Sequence, residues 1–149
     1  MKKIETEIQI NASPQEVWSI LTNLEKYSDW NPFVINASGV VAVGETIEVL
    51  ICPPEGKQML FKPTVTEAEE NTKFSWLGRL LMPGIFDGEH IFAITATPNG
   101  CVLTQNENFS GMLVPLLWKS LNTDTRVGFE SMNQALKQRA EALSGVDKS

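Results

Sequence analysis

The sequence is poor in the residues from which metal and redox centres are built. Its 149 residues include two cysteines, Cys52 and Cys101, and one histidine, His90. The cysteines match no close-spaced metal or redox pattern, so a zinc or haem centre built from protein ligands is largely excluded, and we predict no cofactor and no metal. Both cysteines are predicted to be reduced core residues of a cytoplasmic protein.

Positive charge and long apolar runs are also scarce. Lys and Arg number 12 against 18 Asp and Glu, for a formal net charge of −6. The cations do not cluster, which argues against a nucleic-acid partner. The N-terminal segment MKKIETEIQI alternates charged and apolar residues, unlike a signal peptide, and no later run approaches transmembrane length. We therefore expect a cytoplasmic location without stable membrane insertion.

Length and composition predict a single domain over residues 1–149. The chain is 42% hydrophobic, and a chain of this length buries roughly 70% of its unfolded surface. No repeat, low-complexity tract or linker divides it. The polar segment at about 144–149 is predicted to be a frayed tail.

The first thirty residues predict a strand followed by short helices. Residues 3–10 alternate polar and apolar side chains, the period of a half-buried strand, with Thr6 the polar exception on the apolar side. Ser13 and Glu16 have the spacing of a capping box, and Pro14 suits a first helical position. A short helix or helix pair therefore begins at Pro14.

The remainder predicts a meander followed by one long helix. Turn residues separate six runs of strand character, at about 33–42, 45–52, 57–68, 72–79, 87–97 and 101–110. From Pro115 to Leu143 apolar residues recur at three- and four-residue steps, which predicts an amphipathic helix about 43 Å long.

Four segments carry a resemblance to a known family. They are NASPQEVW at 11–18, YSDWNPF at 27–33, GEHIF at 88–92 and ENFSG at 107–111. With the element order, they resemble the START-like (SRPBCC) superfamily, which includes polyketide cyclase/dehydrase and lipid-transport proteins. The resemblance implies an α+β helix-grip fold: a curved seven-stranded antiparallel sheet around the long C-terminal helix, two short helices between strands 1 and 2, and a cavity between sheet and helix.

The last predicted hairpin places polar side chains on an interior face. If Asn99-Gly100 forms the turn, alternation puts His90, Gln105 and Glu107 on the face that meets the helix, with His90 diagonal to Glu107. Buried ionisable groups need partners and often mark functional sites. Three interpretations stay open: an acid/base pair, a hydrogen-bonding anchor for a ligand, and a satisfied structural cluster.

The stripe of the long helix is interrupted by Thr125 and Gly128. A residue packed closely against Gly128, a helix kink, or a void that a ligand fills would each account for an interior glycine. The void implies a ligand site shared with aromatic residues of the sheet. The predicted ligand-binding residues are Phe74, Trp76, His90, Phe92, Gln105, Glu107, Thr125, Gly128 and Phe129.

These observations predict a protein that binds a small hydrophobic or amphipathic ligand, such as a lipid, isoprenoid or polyketide-like compound, in an internal cavity. One alternative is a metal-free cyclase or dehydratase with His90 and Glu107 as catalytic acid/base pair. Another is a chaperone-associated protein-interaction module. The apolar loop 80–86 is predicted to be a portal lid or a partner site, and a protein partner or homodimer stays open.

Overall fold

The protein is described by a computed structural model that covers residues 1–54, 56–80 and 82–148. Its strands are β1 (Lys2–Ile10), β2 (Val34–Ser38), β3 (Glu48–Ile51), β4 (Met59–Phe61), β5 (Thr64–Glu69), β6 (Lys73–Leu80), β7 (Phe86–Thr97) and β8 (Gly100–Ser110). Its helices are α1 (Pro14–Leu21), a 3-10 helix (Leu24–Asp29), α2 (Val114–Ser120), a π-helical turn (Leu121–Thr125) and α3 (Arg126–Lys148).

The strands form two antiparallel sheets. The larger sheet has the order β1-β8-β7-β6-β5, and the smaller has the order β2-β3-β4. The predicted seven-stranded sheet is therefore wrong: the described residues form 5 plus 3 strands. The predicted strand 57–68 contains Pro63, which has no N–H to donate, so β4 ends at Phe61 and β5 begins at Thr64.

The connection from β1 to β2 follows the sequence prediction. Glu16 N donates to Ser13 Oγ over 3.1 Å, and Ser13 N donates to Glu16 Oε1 over 2.9 Å, which is the predicted capping box. Pro14 occupies the first turn of α1. The 3-10 helix supplies the second of the two short helices between the first strands.

The C-terminal helix is longer than predicted and is interrupted. The π-helical turn Leu121–Thr125 separates α2 from α3, and α3 continues to Lys148, through most of the segment predicted as a tail; Ser149 lies outside the described residues. The buried face of α3 supplies Phe129, Met132, Leu136 and Ala140 to the core. This face lies over the inner side of the larger sheet, so the long helix and the sheet enclose the core between them.

Both cysteines are free thiols, in agreement with the sequence expectation. Cys101 is buried in the core, while Cys52 is only partly buried. Burial raises the pKa of the Cys101 thiol, with a smaller contribution from the charge of Glu16. A buried, protonated thiol is a poor nucleophile, so Cys101 is a packing residue.

The β7–β8 hairpin differs from the predicted register by two residues. Thr97 pairs with Gly100 and Ala96 with Cys101, so Pro98 and Asn99 are the central turn residues. The fixed φ of proline favours the first central position of a turn, which moves the turn back by one residue. Because a shift of two preserves the alternation of side chains, the predicted inner face is retained.

Candidate functional site

The site lies on the inner face of the larger sheet, where side chains from neighbouring strands align in rows. Trp76 of β6 is opposite His90 of β7, which is opposite Glu107 of β8. The predicted diagonal contact between His90 and Glu107 is thus a direct cross-strand pair. In the adjacent row, Gly78 is opposite Gly88. The row of large side chains formed by Trp76, His90 and Glu107 therefore borders a row in which two neighbouring positions are glycine.

A cavity of about 370 Å³ occupies the space above these rows. Its volume falls within the range of small-molecule sites, roughly 300–1,000 Å³. The lining residues are Phe33, Val49, Ile51, Pro53, Gly56, Lys57, Met59, Phe61, Pro63, Trp76, Gly78, Arg79, Phe86, Gly88, His90, Glu107, Phe109, Leu117, Ser120, Leu121, Asp124 and Thr125. The walls are mostly aliphatic and aromatic.

The exposed lining residues locate the mouth of the cavity. The lining residues that are exposed lie in and before β4, on β6 and on α2: Gly56, Lys57, Met59, Arg79, Leu117 and Ser120. In contrast, His90 is a buried lining residue.

His90 and Glu107 are in direct contact. His90 Nδ1 lies 3.1 Å from Glu107 Oε1, within hydrogen-bond distance. The His90 side chain is 3% exposed and that of Glu107 is 17% exposed. Glu107 is therefore the more accessible member of the pair, and it connects the buried imidazole with the cavity.

The other imidazole nitrogen begins a hydrogen-bonded chain to α3 and β1. His90 Nε2 lies 2.9 Å from Gln105 Oε1, and Gln105 Nε2 donates to Asn133 Oδ1 over 2.7 Å. Asn133 Nδ2 donates to Thr6 Oγ1 over 2.9 Å. The polar groups behind His90 are therefore satisfied within the protein, as burial requires.

Three aromatic rings surround the imidazole of His90. Its centroid lies 4.8 Å from that of Trp76, 4.7 Å from that of Phe92 and 4.8 Å from that of Phe129. Trp76 stacks at an interplanar angle of 30°. The rings fix the plane of the imidazole, and the face of a stacked ring attracts an imidazolium cation.

The paired glycines have different roles. A Cβ on Gly88 would overlap the Glu107 carboxylate at Oε2, so that carboxylate occupies the place of a missing side chain. A Cβ on Gly78 would have no heavy neighbour nearer than 3.9 Å. Gly88 thus makes room for Glu107, whereas Gly78 borders open space.

The structure divides the predicted ligand-binding residues into two groups. Trp76, His90, Glu107 and Thr125 line the cavity. The residues that do not line it are Phe74, Phe92, Gln105, Gly128 and Phe129. Phe74, Phe92, Gln105 and Phe129 are buried, and Phe92 and Phe129 contact His90 as described above.

Gly128 lies against an aromatic ring. A Cβ at this position would overlap the ring of Phe33, which precedes β2. Phe33 also makes an edge contact with Phe129, with centroids 5.6 Å apart, and its ring lines the cavity. The glycine therefore permits close packing, which was one of the interpretations open from the sequence.

The loop 80–86 contributes little to the cavity in its described part. Phe86 lines the cavity, whereas Met82 is 60% exposed, and Leu81 lies outside the described residues. Backbone N–H groups of Met112 and Leu113 donate to Gly84 and Ile85 carbonyls over 3.0 Å. The lid and partner-site interpretations of this loop both stay predictions.

The described residues provide neither a metal site nor a membrane span. Over residues 1–54, 56–80 and 82–148, no group of three or more His, Cys, Asp or Glu side chains could hold a metal ion. In those ranges no helix combines the length and hydropathy needed to cross a membrane.

Most of the residues that line the cavity were not predicted from the sequence, and Phe33, Gly78, Gly88 and the buried Asn133 are the missed residues on which the geometry of the site depends. Gly78 and Gly88 each sit within a predicted strand, a position where a missing side chain signals close approach or open space. Asn133 is a buried polar residue beside the apolar stripe of the long helix. For Phe33 the sequence holds no signal, because its contact with Gly128 depends on the tertiary fold.

Comparison with known proteins places the chain in a family. The profile of the family described as "Polyketide cyclase / dehydrase and lipid transport" matches residues 1–141. The chain belongs to this family. The START-like resemblance read from the four sequence segments is thereby confirmed. No match among curated proteins was found for this family member.

Solved structures share the fold at low identity. A START superfamily protein from Mycobacterium smegmatis aligns with a TM-score of 0.75 and 19% identity, covering 95% of this chain and 98% of that one. The Zhui aromatase/cyclase from a Streptomyces strain aligns with a TM-score of 0.78 and 11% identity, covering 94% of this chain and 93% of that one. The di-domain ARO/CYC StfQ of the steffimycin biosynthetic pathway aligns with a TM-score of 0.79 and 15% identity, covering 96% of this chain and 52% of that one. These similarities establish a helix-grip-like α+β fold.

Proposed function

We propose that this family member binds a small hydrophobic or amphipathic molecule, such as a lipid, isoprenoid or polyketide-like compound, in the cavity between the sheet and the C-terminal helix. The observation that carries the proposal is a 370 Å³ cavity with mostly apolar walls, which the contacting pair His90 and Glu107 also lines. Apolar walls supply affinity through burial, and a few fixed polar groups supply orientation.

Charges near the mouth favour an amphipathic ligand over a purely apolar one. Lys57 and Arg79 line the cavity, and both are exposed. Glu107 lines it further in, next to His90. A ligand with an apolar body and a polar group at each end could contact the exposed Lys57 and Arg79 with one end and the His90–Glu107 pair with the other.

The proposal is tested by equilibrium titration with the fluorescent amphipathic probe anilinonaphthalene sulfonate, with circular dichroism to verify the fold. We expect saturable binding of one probe per chain, with quenching of tryptophan emission because Trp76 lines the cavity. A natively folded chain that binds no probe, and no fatty acid in competition assays, would contradict the proposal.

A second candidate function is acid/base catalysis on a polyketide-like substrate. It is favoured by the observation that His90 and Glu107 touch at 3.1 Å and both line the cavity. In a dehydration, the Glu107 carboxylate would take a proton from a carbon beside a carbonyl. The pair then returns one proton to the hydroxyl on the neighbouring carbon, which leaves as water while the carbon–carbon double bond forms, so the proton count of the pair is unchanged.

The catalytic candidate is tested by the turnover of a β-hydroxy ketone of polyketide type. Glu107→Gln keeps the shape and removes the base, so kcat should fall at least about 100-fold, the lower end for general acid/base catalysis, while probe binding persists. Gly88→Ala should also lower kcat, because its methyl group displaces the carboxylate. Gly78→Ala is the matched control and should retain activity. Equal kcat in wild type and Glu107→Gln would contradict this candidate.

The protein-interaction module stays a prediction. The sequence placed its surface at the loop 80–86, where Met82 is 60% exposed, and Met112 and Leu116 near the start of α2 are also exposed, at 71% and 80%. Nothing in the described residues indicates a partner for this surface.

A further inference from the structure

The hydrogen-bonded chain behind His90 has a fixed direction. Its ends are backbone carbonyls, which can only accept: Gln105 Nε2 donates to the Phe129 carbonyl over 3.3 Å, and Thr6 Oγ1 donates to the Gln105 carbonyl over 2.7 Å. Because the Thr6 hydroxyl has used its hydrogen, it accepts from Asn133 Nδ2. Asn133 therefore presents Oδ1 to Gln105.

The direction of the chain determines which atom of Gln105 faces the imidazole. Both hydrogens of its amide nitrogen are taken by Phe129 O and Asn133 Oδ1. Its Oε1 is left to face His90 Nε2 at 2.9 Å, and an amide oxygen can only accept. Rotating the amide would direct its NH₂ at His90 and its oxygen at two acceptors.

We infer that Gln105 is a positioning residue that holds the hydrogen of His90 on Nε2 and thereby leaves Nδ1 as the nitrogen that shares a proton with Glu107. Gln105 acts through His90, since it is fully buried and does not line the cavity. This assignment replaces its predicted role as a ligand contact. It rests on the proposed acid/base function of the pair, which it deepens.

Proton counting gives the assignment its chemical consequence. When Nε2 carries a hydrogen and the ring is neutral, Nδ1 carries none. Glu107 must then supply the hydrogen of the 3.1 Å contact between Nδ1 and Oε1. If the ring is charged, Nδ1 supplies it to the carboxylate. In both states the Nδ1–Glu107 contact contains one proton, which passes to the cavity side through Glu107. No other titratable side chain contacts the imidazole among the described residues.

The test is a long-range ¹H–¹⁵N correlation spectrum of the imidazole, which needs no assignment because His90 is the single histidine. In the wild type we expect the Nε2 shift of a protonated nitrogen and a one-bond Nε2–H cross-peak protected from solvent exchange. A bare Nε2 in the wild type would overturn the inference directly, without recourse to any variant.

The variant Gln105→Met has similar volume and cannot accept strongly from Nε2. We expect the hydrogen to move to Nδ1, where it donates to the Glu107 carboxylate, and Nε2 to shift to the range of an unprotonated nitrogen. Leu103→Met places the same side chain on the same buried face of β8 and should keep the wild-type spectrum. Unchanged Nε2 protonation in Gln105→Met would overturn the inference.

Probe titration separates the two proposals. Because Gln105 does not line the cavity, Gln105→Met should bind anilinonaphthalene sulfonate within about twofold of the wild type. Absence of binding in the wild type would contradict the proposed function, whereas the tautomer measurement would still decide the role of Gln105.

Discussion

Replacing Gly128 with alanine is expected to destabilise the protein, although the same change stabilises most helices. Alanine gains about 1 kcal/mol over glycine inside a helix. Here the added methyl group would overlap the ring of Phe33, which is itself buried against Phe129. Overpacking of a core typically costs about 1–3 kcal/mol, so the steric cost outweighs the propensity gain.

The larger side chain of Gly128→Leu should cost more, about 3 kcal/mol or above, and should reduce the population of folded protein. Urea unfolding measures both variants, with the midpoint compared at constant slope. The double change of Gly128→Ala with Phe33→Leu tests the mechanism, since removal of the ring should recover part of the loss. An alanine variant more stable than wild type would show that Phe33 does not restrict this position.

Replacing Gly78 with phenylalanine is expected to abolish ligand binding and preserve the fold. Gly78 lines the cavity, its missing side chain leaves open space, and an aromatic residue is favourable in a strand. The ring would take up part of the 370 Å³ volume beside Trp76. Probe affinity should fall by more than tenfold, which corresponds to about 1.4 kcal/mol.

The matched control for this change is Leu77→Phe, which adds the same ring to the opposite face of β6. Thermal unfolding should show both variants folded, and only Gly78→Phe should lose the probe. Retained affinity in Gly78→Phe would place the ligand elsewhere in the protein, and the cavity above the glycine pair would then have no role in binding.

Side-chain alternation predicted the site better than it predicted the pairing of residues. The inner face of β7 and β8 followed from parity alone, because an error of two residues in the hairpin leaves parity unchanged. The direct opposition of His90 and Glu107 required the correct turn. That turn was set by Pro98 in the first central position, whereas the sequence pattern favoured Asn99 there.

Long-range packing was not accessible from the sequence. Thr6 stood out as the polar exception on the apolar side of β1, yet its partner Asn133 lies on the distant α3. Likewise, the interior glycine at 128 was compatible with a void and with close packing, and only the position of Phe33 distinguishes them. Local periodicity determines which face a residue occupies, while the contacts across the core come from the tertiary fold.

The cavity also changes which segments are expected to control access. The sequence favoured the loop 80–86 as a lid, but the exposed residues that line the cavity lie in and before β4, on β6 and on α2, and Phe86 is the one described residue of that loop that lines it. The π-helical turn Leu121–Thr125 directly follows α2, and such turns are frequent at functional sites.

Native mass spectrometry of the protein purified from its own host tests the central claim most directly, because it detects the occupant of the cavity whatever the chemical identity of that molecule. The proposal predicts that the wild type carries one small molecule per chain and that Gly78→Phe, purified in parallel, carries none. An empty wild type in repeated preparations, together with no binding of anilinonaphthalene sulfonate, would contradict it.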